Sequence, residues 1–543
     1  MKYIKSFLYI LTIFLFLGGC ASSGSSSEEK EYTTLTMFSD VTFWNFPEWD
    51  LTDGSMTAEI SKETGVILDT TIPPQEPGKK LSLMLHKGSL PDIISVTDPT
   101  VIHQLIDSGK VWRMDEFLKE YCPDSHILSD FPEDMKEDQI RQYGGWYIYP
   151  SNINSDDARD TWKEPTSYYG DLVRYRQNYG ILWNRALMKE AGLTEDFLQT
   201  QSQVLAAFEK VKSLRLTVEG EPVIPLLFEG NDYQASSLGY LLNSFGAETV
   251  DEDENYIERW LQPEGRDVLL FVNTLFRRNY AYTEHLAIDS AQVRALMTSG
   301  RVLCYMGNIA NASINAADYL TTGPLIPDNG NRPVLGIDLT TPTGWIQTFI
   351  SKDCAHPKEA AGFLDYMTSD KGLLFSNYGT EGTDFYYDEN GLVHRTETGE
   401  EKAKDPQNPL GKFWNFYNSA WEHSICALPD PDGHEALMAE MQSDFARDRR
   451  TYVYDSGLLR LPENYIPADS KLGQIRNELE LFQKAQIPKI IAAASDAEFE
   501  EAYDYFINRQ KKLGVDQLDQ KINSQMHENF TYYKKVIEKV NHP

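Results

Sequence analysis

The sequence predicts an α/β fold with two lobes. Three observations support this prediction: strand and helix patterns alternate over residues 34–96, both helix patterns there end at a glycine, and 543 residues suffice for two lobes with separate cores. Alternation at this spacing is typical of βαβ units, whose strands form a parallel sheet. In such sheets ligands bind beyond the carboxyl ends of the strands, so the segments that follow the strands are the first place to look for a site.

The first elements are read from residues 34–150. Residues 34–39 (TLTMFS) alternate in polarity and predict a strand. The following patterns predict a helix at 57–64 that ends at Gly65, a strand at 66–72, a helix at 79–87 that ends at Gly88, and a buried strand at 91–96. Segment 143–150 (YGGWYIYP) combines glycine, aromatic and proline residues, and we interpret it as a crossover between the lobes.

The same alternation continues further along the chain. Residues 179–183 predict a strand, and Asn184 is the expected N-cap of a helix at 185–191 that ends at Gly192. A second helix has one apolar face, with Val204, Ala207, Phe208 and Val211 at the spacing i, i+3, i+4, i+7. We expect further strands at 223–228, 301–306 and 344–351, a helix at 357–368, and a helix-rich C-terminal third.

The N-terminus has the pattern of a secretory signal. A short basic leader at residues 1–5 precedes an apolar run at 6–17 (SFLYILTIFLFL), which is too short to span a bilayer comfortably. Leu17-Gly-Gly-Cys20 resembles a bacterial lipobox, in which the cysteine thiol is acylated. A membrane helix with a chance cysteine is the alternative, but the tether-like segment 21–27 (ASSGSSS) favours the signal. We therefore expect a signal peptide at 1–19, lipidated Cys20, and a flexible tether within 20–32.

Composition limits the classes of partner. The formal net charge of −32 disfavours nucleic acids and other polyanions and suits a neutral or weakly charged ligand. No apolar run after the tether approaches the roughly 18 residues of a membrane-spanning helix. The cysteines that remain form no CxxC pair, and we interpret them as small buried hydrophobic residues, with one distant disulfide left open. These are Cys122, Cys304, Cys354 and Cys426.

Five segments, in order, resemble the family 1 extracellular solute-binding proteins, the substrate-capturing lipoproteins of ABC importers. Two also resemble the large oligosaccharide-binding lipoprotein subgroup of Gram-positive bacteria. The segments are residues 79–94 (KKLSLMLHKGSLPDII), 179–193 (YGILWNRALMKEAGL), 356–367 (HPKEAAGFLDYM), 377–385 (NYGTEGTDF) and 487–518. Together they extend over nearly the whole mature chain.

The resemblance implies a two-lobed periplasmic-binding-protein-like fold of type II, with a ligand cleft between the lobes. On this basis we expect lobe 1 at 33–145 and 336–375, and lobe 2 at 146–335 and 376–543. The implied function is the capture of an oligosaccharide outside the cell and its delivery to an ABC transporter permease by hinge closure. The resemblance implies no enzymatic activity, no cofactor and no nucleic-acid partner, and we expect a monomer held at the cell membrane by its lipid.

Candidate ligand-binding residues follow from the positions of the strand ends. A sugar presents an apolar C–H face and a belt of hydroxyls, so its cleft needs aromatic faces and polar side chains. The candidates are Trp44, Trp49, Asp98, Asn152, Glu229, Asn231, Asp232, Tyr233, Asn308 and Trp345. Packing of the loop on its own lobe is an equal alternative for Trp44 and Trp49, and helix capping is an alternative for Asp232 and Asn308.

Other functions remain open from the sequence. A surface glycoside hydrolase or lyase needs two carboxylates across a glycosidic bond, and 82 acidic residues cannot exclude such a pair. The sequence has no GxSxG, HExxH or P-loop motif to support other hydrolases. A peptide-binding receptor is a further alternative. Segment 251–255 (DEDEN) lacks the central glycine of a calcium loop, and we interpret it as a hairpin turn.

Overall fold

The computed structural model of the chain describes residues 31–41, 48–75, 77–166, 172, 174–229, 237–250, 255–288, 290–338, 344–405, 407–429, 432–462 and 465–541. The predictions for the signal peptide, Cys20, the lipobox, Trp44, segment 230–236 and residues 251–254 lie outside these residues. None of the helices in the described ranges is both long and apolar enough to cross a membrane.

Fifteen strands occur in the described residues. In chain order they are β1 Thr33–Ser39, β2 Val66–Thr71, β3 Ile93–Val96, β4 Tyr149–Pro150, β5 Tyr179–Asn184, β6 Thr217–Val218, β7 Glu221–Pro222, β8 Ile224–Phe228, β9 Val302–Asn308, β10 Tyr319–Leu320, β11 Val334–Ile337, β12 Gln347–Ile350, β13 Phe385–Tyr387, β14 Val393–Arg395 and β15 Tyr452–Asp455. The strands predicted near 34, 66, 91, 179, 223, 301 and 344 are confirmed, with ends shifted by one to three residues.

The α-helices of the same residues alternate with the strands and then dominate the C-terminal part. They are α1 Met56–Thr64, α2 Pro77–Lys87, α3 Pro99–Asp107, α4 Met114–Tyr121, α5 Ile127–Asp130, α6 Glu133–Tyr143, α7 Asp156–Thr161, α8 Arg185–Ala191, α9 Gln201–Leu214, α10 Ser237–Ser244, α11 Pro263–Arg277, α12 Ser290–Thr298, α13 Ile309–Ala312, α14 Pro357–Thr368, α15 Asp370–Tyr378, α16 Glu397–Lys404, α17 Ser419–Ile425, α18 His434–Arg447, α19 Lys471–Ile491, α20 Asp496–Leu513 and α21 Val515–Asn541.

Capping residues explain why the predicted helix bounds hold. Ser55 accepts a hydrogen bond from the Ala58 amide at the start of α1, and Gly65 ends that helix at φ +73°. Asn184 accepts from the Leu187 amide, and Gly192 ends α8 at φ +60°. The sequence marked Gly65, Asn184 and Gly192 as helix ends, whereas the cap Ser55 was not predicted.

The first sheet has five strands in the order β2-β1-β3-β12-β4. Strands β1, β2 and β3 are parallel, whereas β12 is antiparallel to both β3 and β4. Both faces are covered: Leu35 and Met37 lie in one core cluster, and Phe38 lies in another. Segment 143–150, which we interpreted as a crossover, supplies the edge strand β4 of this sheet.

The second sheet has four strands in the order β10-β5-β9-β8. Strands β8 and β9 are parallel, and β5 runs antiparallel to β9. This sheet is also buried on both faces, since Ile181 and Trp183 lie in one core cluster and Leu182 in another. The α/β class and the helix-rich C-terminal part are confirmed.

The predicted bounds of the two lobes stay a prediction. The chain passes from the first sheet to the second between β4 and β5, and it returns before β12. Phe413, Phe416 and Ala420, which the predicted bounds assign to lobe 2, contribute to the core cluster of the first sheet. Segment 413–420 reaches that core through aromatic contacts, such as that of Phe363 with Phe416, and no strand pattern signals them.

The cysteines of the described residues form no disulfide. Cys304 is fully buried in strand β9, and burial raises the pKa of its thiol well above the usual value. Cys122, Cys354 and Cys426 are half-buried. The interpretation of these residues as small packing groups is consistent with their positions.

Candidate functional site

The carboxyl edge of the first sheet gathers polar groups from four strands. Strands β1 and β3 end there, β12 begins there, and β4 ends beside it, because Gln347 pairs with both Val96 and Pro150. The segments that follow or precede these strands contain Asp40, Asp98, Asn152 and Trp345. Three of these are predicted site residues, so the structure brings Asp98, Asn152 and Trp345 to one edge.

Asp40 is a residue of this edge that the sequence reasoning missed. Its Oδ2 accepts hydrogen bonds from the amide of Thr97 at 2.7 Å, from the Thr97 hydroxyl at 3.2 Å and from the Asp98 amide at 3.3 Å. Its Oδ1 is buried and has no hydrogen-bond partner among the described residues. Burial raises the pKa of the Asp40 carboxyl above its usual value, against the lowering effect of the donors on Thr97 and Asp98.

Asp98 is exposed and caps a helix. Its Oδ1 accepts from the Thr100 amide at 2.8 Å, at the N-terminus of α3. The same residue donates its own amide to Asp40. Asp98 therefore links the end of β3 to both neighbours: its amide donates to the Asp40 carboxylate, and its own carboxylate caps α3.

Asn152 and Trp345 are held next to each other by the backbone. The Gly344 amide donates to the Ser151 carbonyl at 2.8 Å, and a Cβ on Gly344 would lie only 2.2 Å from that oxygen. Asn152 has φ +52°, a conformation that Asn tolerates better than most residues, and its amide donates to the Tyr417 carbonyl at 2.7 Å. Both side chains are half-buried at the sheet edge.

Trp49 lies away from this edge. Its ring contacts Phe363 and Phe413 at centroid distances of 6.2 and 6.4 Å, and its Nε1 donates to the Ser61 hydroxyl at 2.9 Å. The residue therefore packs on the core of the first sheet, which is the alternative that the sequence left open. A ligand contact for Trp49 stays a prediction.

The carboxyl edge of the second sheet centres on Glu229 and Asn308. Glu229 follows β8, and Asn308 ends the neighbouring parallel strand β9. The side chain of Glu229 is 0% exposed and receives hydrogen bonds from the Tyr305 hydroxyl and, at 3.1 Å, from the Asn311 amide nitrogen. The Tyr305 hydroxyl also lies 3.1 Å from the Asn308 carbonyl, so this ring links both predicted residues.

Asn308 caps the short helix that follows β9. It is 2% exposed, and its Oδ1 accepts from the Ala310 amide at 3.0 Å. The capping alternative is therefore present in the structure, and a ligand contact for Asn308 stays a prediction. Asn231, Asp232 and Tyr233 belong to segment 230–236, outside the described residues.

A cluster of tyrosines around Glu422 adjoins Asn152. Tyr378 donates to one oxygen of Glu422 at 3.0 Å, and Tyr417 donates to the other. Burial and the charge of Glu422 raise the pKa of Tyr417 well above its usual value. Because Tyr417 also accepts the Asn152 amide, this cluster fixes the backbone beside the first edge. The sequence offered no spacing signal for it.

Both edges carry polar side chains. Carboxylate and amide groups dominate, and in the described part of the chain no group of three or more His, Cys, Asp or Glu side chains is placed to hold a metal ion. Such groups suit the hydroxyls of an uncharged polar ligand.

Comparison with solved structures finds the same architecture in sugar-binding proteins. The ABC-transporter substrate binding protein FusA of S. pneumoniae, in complex with kestose, matches at 14% identity and TM-score 0.66, over 93% of this chain and 100% of that one. An HMO-binding ABC-transporter-associated solute binding protein from Bifidobacterium longum infantis matches at 12% identity and TM-score 0.64, over 91% and 98%. The N-glycan transport protein NgtS of Streptococcus pneumoniae matches at 13% and 0.56, over 92% and 99%.

At these identities the likeness establishes the two-lobed fold. A search of curated proteins gives no match. The family model described as bacterial extracellular solute-binding protein matches residues 66–373, which is more than half of the chain and includes strands of both sheets and residues of both candidate edges. The chain therefore belongs to the family of bacterial extracellular solute-binding proteins.

Proposed function

We propose that this protein captures an oligosaccharide outside the cell and delivers it to the permease of an ABC transporter. The observation that supports this most directly is a fold shared along nearly the whole chain with proteins described in complex with kestose and with Man1GlcNAc. The family itself is one of solute binders, so the protein acts by holding its ligand and releasing it unchanged.

The two sheet edges provide the groups that an oligosaccharide requires. Asp40, Asp98 and Asn152 offer acceptors and an amide to hydroxyls, and Trp345 offers a flat face to a C–H surface of the ring. Asn308 and Glu229 mark the carboxyl edge of the second sheet. We infer that the lobes close on the sugar between these edges by a hinge motion at the crossovers.

We further propose that Cys20 anchors the protein to the outer face of the cell membrane. The lipobox-like segment and the tether after it support this, and the family is extracellular by description. Two-dimensional confinement keeps the binder near its permease and raises its effective concentration there. We expect the protein to act as a monomer.

Ligand binding is tested with purified protein and a panel of kestose, Man1GlcNAc and an HMO. We expect one of these to raise the Tm by mass action, and chromatography should recover the sugar intact. Trp345→Ala should lose most of this Tm shift. The control Trp112→Ala removes another half-buried indole, which packs on Phe117 and Tyr121. This variant should keep the Tm shift caused by the sugar. Cleavage of the sugar would establish an enzyme instead, and a panel without any response would overturn the proposal.

Anchoring is tested separately in a bacterial host. Cys20→Ala should move the protein from the membrane fraction to the medium or the periplasm, whereas Cys122→Ala should leave it in the membrane fraction. Mass spectrometry of the N-terminal peptide should show a diacylglyceryl group on Cys20. An unmodified peptide in the membrane fraction would contradict the anchor.

A further inference from the structure

The side chain of Arg460 joins two parts of the molecule that have separate cores. Its Nη1 donates to the Asp138 Oδ2 at 3.0 Å, and its Nη2 donates to the Asp338 Oδ2. The side chains of Arg460, Asp138 and Asp338 are 26%, 11% and 32% exposed, so solvent screens these ion pairs less than it would on an open surface. We call these three residues the Arg460 bridge.

Asp138 belongs to the part of the molecule built on the first sheet. It lies on α6, whose Met135 is buried in the core of that sheet. The next residue, Gln139, donates to the Ile148 carbonyl at 3.0 Å and accepts the Ile148 amide at 2.9 Å, just before strand β4. The Asp138 carboxylate also accepts a hydrogen bond from Arg141 of its own helix. Asp138 is therefore fixed to the first sheet.

Arg460 and Asp338 belong to the part built on the second sheet. Asp338 follows Ile337, which ends β11 and lies in the core of the second sheet. Strand β11 pairs with β15, and Arg460 comes directly after the 3₁₀ turn Ser456–Leu459 that follows β15. The Arg460 carbonyl accepts a hydrogen bond from the buried Asn529 of α21 at 2.6 Å. Its backbone is thus fixed to the second part, and its side chain reaches the first.

The bridge lies where the chain crosses between the sheets. Asp338 is the first residue after β11, and the chain then returns to the first sheet as β12. When one rigid part rotates against another, the segments that connect them absorb the change. Such a rotation alters the position of Asp138 relative to Arg460, and a hydrogen bond of 3.0 Å tolerates little displacement.

We propose that the Arg460 bridge is a latch that holds the two sheets in the described arrangement and sets how often the protein adopts any other. The planar fork of an arginine suits this task, because it can hold two carboxylates at once. The latch does not depend on the identity of the ligand. Its effect on sugar affinity rests on the proposed function, since a sugar held between the sheets and the latch act on the same equilibrium.

The first test is single-molecule FRET on the protein without sugar. Dyes are attached through unnatural amino acids at two pairs of exposed positions, each pair with one dye on each part: Lys119 with Asn508, and Lys87 with Leu214. Arg460→Met should lower the population with the dye distances of the structure by about fivefold relative to the other arrangements. Asp138→Ala should act in the same way, and the double variant should go no further than either single change, because all three remove one contact.

Two further variants separate a latch from ordinary stabilisation. Arg460→Lys keeps the charge but loses the fork that holds two carboxylates, so its FRET change should lie between those of wild type and Arg460→Met. Arg266→Met is the control, because Arg266 on α11 pairs with Glu500 on α20 within the second-sheet part. This control should leave the FRET distribution unchanged, even if it lowers the Tm. If Arg460→Met does not fold, Asp138→Ala removes the same contact from the other side.

The outcomes separate this inference from the proposed function. A FRET distribution that neither Arg460→Met nor Asp138→Ala changes overturns the latch, whether or not a sugar binds. In calorimetric titration with the panel sugar that binds, both variants should change the Kd by at least about threefold and in the same direction. An unchanged Kd together with a changed FRET distribution overturns the effect on sugar affinity. Wild-type protein that binds none of the sugars overturns the proposed function, and the FRET result still decides the latch.

Discussion

His126 shows how one side chain makes lobe stability depend on pH. Its Nδ1 lies 2.9 Å from the Asp365 Oδ1, and its Nε2 lies 3.1 Å from the Thr368 carbonyl, so it joins the start of α5 to the end of α14. Burial lowers the pKa of His126, but the hydrogen bond and charge of Asp365 outweigh it, and the pKa is raised overall. The imidazolium is therefore favoured in the folded state.

The sign of the pH effect follows from this raised pKa. The stabilisation is complete below the unfolded pKa of about 6.5 and disappears as the pH rises through the higher folded value. We expect His126→Gln to lower the Tm most near pH 5.5 and least near pH 8.5, as measured by calorimetry. The control His86→Gln removes an exposed ring on α2 and, as an ordinary surface substitution, should change the Tm little. A His126→Gln effect that grows with pH would contradict the assignment.

Gly344 is a second residue whose replacement should destabilise the protein, because a side chain there would clash with the backbone. A Cβ would lie 2.2 Å from the Ser151 carbonyl oxygen, so Gly344→Ala must break the hydrogen bond that holds Trp345 beside Asn152. We expect a clear loss of Tm together with weaker sugar binding. Gly362→Ala is the matched control, because nothing lies within 4 Å of its Cβ in helix α14. It should raise stability by up to about 1 kcal/mol, as for an exposed helix interior. Equal effects of the two changes would contradict the close approach.

At the scale of elements, the long helix α19 depends on a cap from another helix. Pro488 lies inside α19 near its end, and the last carbonyls are satisfied by the buried amide of Asn273 on α11. The Asn273 Nδ2 lies 2.9 Å from the Ile491 carbonyl and 2.8 Å from that of Ala493. One side chain thus joins the C-terminal helices to the core of the second sheet.

We therefore expect Asn273→Ala to destabilise the folded protein. It leaves buried carbonyls without a donor and should lower the free energy of unfolding by roughly 2–3 kcal/mol. Asn508→Ala is the control: this exposed residue donates to the carbonyl of Asp504 in its own helix and should change stability by less than about 0.5 kcal/mol. Denaturant unfolding of both variants measures the difference. A loss for Asn273→Ala as small as the control's would show that the cap is dispensable.

The elements also show what the sequence can predict. Helix α14 was predicted at its observed bounds because Pro357 begins it and Ala360, Phe363, Leu364 and Met367 form a regular buried face. The pairing of β11 with β15 was not predictable, since the partners lie more than a hundred residues apart and neither strand marks the other.

The candidate site likewise contains residues that the sequence could predict and residues that it could not. The ends of β3, β8 and β9 were read from local patterns, so Asp98, Glu229 and Asn308 lie at strand ends, and their contact with a ligand stays a prediction. Asp40 was missed because it is a single polar residue whose role depends on its neighbours in space. For Trp49 the sequence left ligand contact and packing on its own lobe as equal alternatives, because its contacts with Phe363 and Phe413 are long-range and no local pattern encodes them.

At the scale of the whole molecule, each sheet has its own core. Leu68 lies in the core of the first sheet and Leu303 in that of the second. We expect Leu68→Ala and Leu303→Ala each to lower the free energy of unfolding by about 3 kcal/mol. In calorimetry, each should lower the midpoint temperature of a different unfolding transition. On the proposed function, in which the sugar is held between the lobes, a bound sugar should raise both transitions.

The control for this prediction is Leu481→Ala, whose side chain is 69% exposed and which should shift neither transition. A single transition that both core substitutions lower equally would show that the lobes unfold as one unit.

The position of β12 determines when the first sheet can be completed. Strand β12, at Gln347–Ile350, lies between β3 and β4, although β3 and β4 both precede residue 151. As the chain emerges during synthesis, the inner edges of β3 and β4 stay unpaired until some two hundred further residues have been made. Nascent chains truncated before Ile350 should consequently be good substrates for chaperones and proteases. Chains that extend just beyond Ile350 contain all of β12 and can complete the sheet.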